Sequence, residues 1–105
     1  MPIQLRIWER RDGADRREIG NTALAMCRII RRGDGITSSK FYWYGPDRVV
    51  MLTEGEAAAL DTLGPASLED YDRAVFELAD MARIIMDWRL VDPRAGEESY
   101  RLAGR

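Results

Sequence analysis

Histidine is absent from the 105 residues, and cysteine occurs once, at position 27. Without an imidazole the common zinc ligand sets and the Ser-His and Cys-His dyads are excluded, and one thiol cannot close an intramolecular disulfide. Neither a metal nor a cofactor is expected. Long apolar runs are missing too: none approaches the roughly 18 residues of a membrane helix. The opening MPIQLRIWER carries charges where a secretory signal needs an apolar core, so a cytoplasmic protein without membrane contact is expected. Nor is there a large excess of one charge. The net charge is -2 at pH 7, which is not the basic balance of a nucleic-acid binder.

What is present fits one globular domain spanning residues 1–105. Hydrophobic residues make up 46% and charged residues 32%, and a chain of this length buries about two thirds of its unfolded surface without staples. Charge is unevenly placed. Residues 1–32 hold eight Arg against four acids, whereas Glu54 to Glu98 is mostly acidic. Opposite patches can serve self-association or simply be solvated faces on separate elements.

The most informative stretch is Ser38 to Glu54, SSKFYWYGPDRVVMLTE. Aromatic and β-branched residues flank Gly45-Pro46-Asp47-Arg48, which predicts two strands joined by a turn. Pro46 suits the second position of a type I or II turn, so a four-residue loop is expected, with Tyr44 opposite Val49 and Phe41 opposite Leu52. Alternation then puts Phe41, Trp43, Val50 and Leu52 on one side and Lys40, Tyr42, Tyr44, Val49 and Met51 on the other. The second side is too aromatic to be a water face, so something should cover it.

Elsewhere, Ile3 to Arg10 alternates as a strand, with Ile3, Leu5 and Ile7 opposed to Gln4, Arg6 and Trp8. Asp15 with Glu18 marks a helix start. Ile19, Ala23, Met26, Cys27 and Ile30 form its apolar stripe, and Gly33 is a natural left-handed stop. Gly55 to Gly64 predicts a turn of helix or a loop. Ser67 with Asp70 starts a further helix whose spacing runs from Leu68 through Tyr71, Val75 and Leu78 to Ile85 and Met86. Phe76 and Ile84 fall off that stripe and hint at a second apolar contact. Either Trp88–Val91 or Glu98–Leu102 supplies a fourth strand.

The order strand, helix, strand, strand, helix, strand is the ferredoxin-like α+β arrangement: an antiparallel sheet with both helices on one side. With its aromatic hairpin, the chain resembles the dimeric α/β-barrel superfamily, which includes the antibiotic-biosynthesis monooxygenase-like and stress-responsive barrel families. The resemblance implies a homodimer in which two sheets pack face to face around a cavity. It also implies either a small-molecule binding protein, a cofactor-independent monooxygenase-like enzyme acting on an aromatic substrate, or a packed structural or regulatory dimer. The haem-degrading branch uses a His ligand, so that activity is not carried over. RNA-recognition motifs share the element order but stack bases on aromatics of the first and third strands; here the third, VVMLTE, has none.

Arg6, Trp8, Tyr42, Tyr44, Gln4 and Met51 are accordingly the candidate ligand-binding residues, expected on the sheet face that meets the partner. Arg6 can grip a carboxylate or phenolate or stack on a ring, or can form an ordinary salt bridge. Tyr42 and Tyr44 can donate hydrogen bonds or simply pack, Trp43 is assigned to the core, and Cys27 reads as a small buried hydrophobe. Asn21, Thr22 and Asp34 are explained by capping and turn roles.

Overall fold

The computed structural model describes residues 1–62 and 68–91. The elements run β1 (Ile3–Arg10), α1 (Arg16–Arg31), β2 (Ile36–Tyr44), β3 (Arg48–Gly55), α2 (Ala57–Thr62), α3 (Leu68–Met81) and β4 (Ala82–Leu90). The four strands form one antiparallel sheet in the order β2-β3-β1-β4. This is the expected ferredoxin-like fold, with a short extra helix between β3 and α3. None of the described helices is long and apolar enough to cross a membrane.

Helix α1 forms as its sequence predicts. Asp15 is extended and accepts a hydrogen bond from the Arg17 amide at 2.8 Å, satisfying one of the free N–H groups of the first turn. Its buried residues are Ile19, Ala23, Met26, Cys27 and Ile30, the predicted stripe in full. The left-handed glycine after it is Gly35, at φ +84°, and not Gly33, whose amide still bonds back to Ile30.

Helix α3 is shorter than its periodicity suggests. It ends at Met81, and β4 starts at the next residue, so Ile85 and Met86 belong to a strand. β-Branched and aromatic residues in ARIIMDWRL favour the pleated conformation, and their spacing coincides with a helical stripe only by chance. β4 includes most of the Trp88–Val91 candidate. Ser67 and the Glu98–Leu102 candidate lie outside the described residues. Arg11 ties off the end of α3: its amide bonds the Met81 carbonyl at 2.9 Å and its Nε the Ala79 carbonyl at 3.0 Å. A cation there also opposes the helix dipole, since α3 has no basic residue in its last turn.

The largest correction concerns which strand face meets the helices. The hairpin loop has three residues, so Tyr44 pairs with Arg48, Trp43 with Val49, Tyr42 with Val50 and Phe41 with Met51. A one-residue change in register turns every side chain of β3 to the other face. Val49 and Met51 therefore join Phe41 and Trp43 on the helix side. The β1–β3 register pairs Trp8 with Val49, Arg6 with Met51 and Gln4 with Thr53, so β1 is inverted as well. Trp8, Val49 and Met51 lie in the core with Ile19, Ala23, Met26, Ala74, Leu78 and Ala82. Gly45, at φ +68°, begins the tight loop. Arg10 holds its end through Asp47, with Nη2 to Oδ1 at 2.8 Å.

The opposite face of the sheet is apolar and carries no element among the described residues. Register places Ile3 beside Leu90, Leu5 beside Leu52 and Trp88, and Ile7 beside Val50 and Met86. Tyr42 and Tyr44 extend the patch at 53% and 66% exposure, and Trp88 is 59% exposed. Phe76 on α3 is also exposed.

Candidate functional site

Alternation along β1 directs Gln4, Arg6 and Trp8 beneath the helices. β4 lies beside β1 with Arg6 opposite Asp87 and Gln4 opposite Arg89. A β-bulge at Ile85, where Ile7 pairs with Met86 but Trp8 pairs with Ile84, sets that phase. The result is a connected polar cluster between sheet and helices.

Arg6 Nη1 donates to the Tyr71 hydroxyl on α3 at 2.9 Å, and its Nε donates to Asp87 Oδ1 at 3.2 Å. Gln4 Nε2 donates to the same carboxylate oxygen. Arg89 Nε donates to Gln4 Oε1 at 3.0 Å, and its Nη1 to Asp61 Oδ1 on α2 at 2.8 Å. Two guanidinium groups are thus matched by two carboxylates. Desolvation is offset by pairing: Gln4 is buried and the Arg6 side chain is 19% exposed.

Beside this matched set stands one unmatched donor. Trp8 is 6% exposed, and its Nε1 has no hydrogen-bond partner among the described residues. A buried N–H without a partner costs about 1–3 kcal/mol, so such groups are rare and call for a cause. Tyr71 packs against the core cluster that contains Trp8. Its oxygen is occupied by Arg6, while its own proton has no acceptor among the described residues.

The six sequence candidates are therefore divided. Gln4, Arg6, Trp8 and Met51 lie on the helix side, and Tyr42 and Tyr44 on the bare face behind it. Tyr71, Asp87, Arg89 and Asp61 were not predicted as site residues. Alternation of Asp87 and Arg89 with Met86, Trp88 and Leu90 is the strand signal that would have found two of them. Asn21 and Thr22 line a groove of about 380 Å³ between α1 and α3 together with Glu18, Glu77 and Asp80. Cys27 lies on the buried face of α1, where burial pushes its thiol up from the ordinary value of 9.0 against the opposing pull of a Ser39 hydrogen bond and the Arg31 charge.

No protein-family model matches the sequence, and no curated protein matches it. Solved structures do match its fold. SnoaB, a cofactor-independent oxygenase from Streptomyces nogalater, superposes with a TM-score of 0.71 at 6% identity, over 87% of this chain and 91% of that one. Rv0793 from Mycobacterium tuberculosis gives 0.67 at 20% identity, over 88% and 95%. A protein from Chloroflexus aurantiacus provisionally named an antibiotic biosynthesis monooxygenase gives 0.67 at 11% identity, over 88% and 93%. The chain has the ferredoxin-like fold of the antibiotic-biosynthesis monooxygenase-like structures.

Proposed function

We propose that this protein is a homodimeric α/β-barrel protein that binds a small aromatic molecule bearing a carbonyl or phenolic oxygen, between the sheet and its helices. The unpartnered indole N–H of Trp8 carries the reading, because a ligand oxygen accepting from it removes the cost of a buried orphan donor. Tyr71 donates to the same ligand, and Arg6, fixed by Asp87, favours partial negative charge on it. This moves the binding residues of β1 from the face between subunits to the face beneath the helices. Cofactor-independent oxygenation of that ligand is the activity suggested by the likeness in fold to SnoaB. The bare apolar face supports a second copy of the chain as its cover, since burial contributes about 25 cal/mol per Å².

Titration with 2-hydroxy-1,4-naphthoquinone tests the site. The Trp8 indole N–H resonance is expected to move on binding, and Trp8→Phe to weaken affinity about fivefold or more through loss of one hydrogen bond. Equal affinity in Trp8→Phe would remove the site. Oxygen uptake with the reduced probe, 1,2,4-trihydroxynaphthalene, in excess of its uptake without protein separates an oxygenase from a binding protein.

A further inference from the structure

At the other edge of the sheet, α1 runs beside the edge strand β2 and leaves a cleft of about 240 Å³. Its charged lining residues are both cations: Arg31 from the last turn of α1 and Lys40 from β2. Neither has an ion-pair partner among the described residues, and no acid among them lines the cleft. Leu24 and Phe41 supply apolar wall, and Tyr42 adds an aromatic ring. The floor is polar and already satisfied, because the buried Ser39 hydroxyl shares a hydrogen bond with Thr53 Oγ1 at 3.0 Å. β2 is an edge, so every second N–H along it leaves the sheet without a strand partner.

We propose that this cleft is a second binding site, separate from the Arg6–Trp8 cluster, for a small carboxylate with an apolar body such as a single ring. Two uncompensated cations in a concavity select an anion. A bare inorganic anion leaves Leu24 and Phe41 unused, whereas a ring carboxylate satisfies the charges and the wall together. The volume lies below the roughly 300–1,000 Å³ of drug-sized pockets, which limits the ligand to a small one. Cys27 touches the cleft, but burial keeps its thiol protonated and therefore unreactive. The site binds without covalent chemistry.

Benzoate titrated into the ¹⁵N-labelled full chain checks this. Amide shifts are expected to cluster at Cys27, Arg31 and Ser39 to Tyr42, with benzylamine, the same ring bearing the opposite charge, leaving them unmoved. In the double variant Arg31→Gln, Lys40→Gln, which changes only exposed side chains, benzoate affinity is expected to fall about tenfold or more. Unchanged benzoate affinity in that variant, equal shifts with benzylamine, or no shifts at the cleft at millimolar benzoate overturns the site. Shifts confined to the Trp8 indole overturn it as well, while leaving the site beneath the helices standing.

Discussion

Asp87 shows how much of this molecule depends on single polar partners. Its carboxylate accepts from both Gln4 and Arg6, so Asp87→Ala leaves a buried amide and a mostly buried guanidinium unmatched. A loss of about 1–2 kcal/mol is expected in chemical denaturation, at the low end of the usual range because Asp87 is itself 45% exposed. Adding Arg6→Leu should recover part of it, and an additive double variant would show that the two residues do not interact. Cys27 gives a pH dependence with a definite sign. Burial favours the neutral thiol, so the folded chain holds that proton more tightly than the unfolded chain does. The contribution is fully present below the unfolded value, near 9.0, and is lost as pH rises through the higher folded value. Unfolding measured from pH 8 to pH 10 should therefore show stability falling more steeply in the natural chain than in Cys27→Ala.

At the scale of elements, termini and crossings decide more than propensity does. Helix α3 borrows its C-terminal cation from Arg11, so Arg11→Ala should cost about 0.5–1 kcal/mol, visible as a lower melting temperature. β3 ends at Gly55, where an added Cβ would lie 2.6 Å from the Gly35 carbonyl oxygen, against backbone that cannot rotate away. Gly55→Ala is accordingly expected to destabilise by about 1–3 kcal/mol; a neutral result in urea denaturation would mean that the two segments separate easily. α1 was legible because its cap, stripe and basic end all agree, and no other element competes for its apolar residues. The end of α3 was not, because Ile85 and Met86 satisfy a helical stripe and a strand equally well.

For the whole molecule, the consequential feature is a sheet apolar on both sides. One side holds the core and the Arg6 cluster; the other exposes Trp88, Leu90, Tyr42 and Tyr44. If a second copy covers it, the protein sediments at twice its 12.0 kDa mass at micromolar concentration. Trp88→Lys then yields folded monomer, with unchanged circular dichroism. A natural chain that sediments at 12.0 kDa removes the dimer.

Composition and spacing alone determined the element order, the α1 stripe and the presence of an amphipathic hairpin, because these depend on local propensity and on periods of 3.6 and 2. They also implied that both sheet faces would be covered. Which face of β1 and β3 turned to the helices was decided only in three dimensions. Hydrophobicity favoured the wrong face of β1, where Ile3, Leu5 and Ile7 are more apolar than Gln4, Arg6 and Trp8, and left β3 undecided, where Val50 and Leu52 match Val49 and Met51. The choice was made by a loop one residue shorter than Pro46 suggested, by the bulge in β4, and by Asp87 and Tyr71, which give Arg6 partners on the inner side.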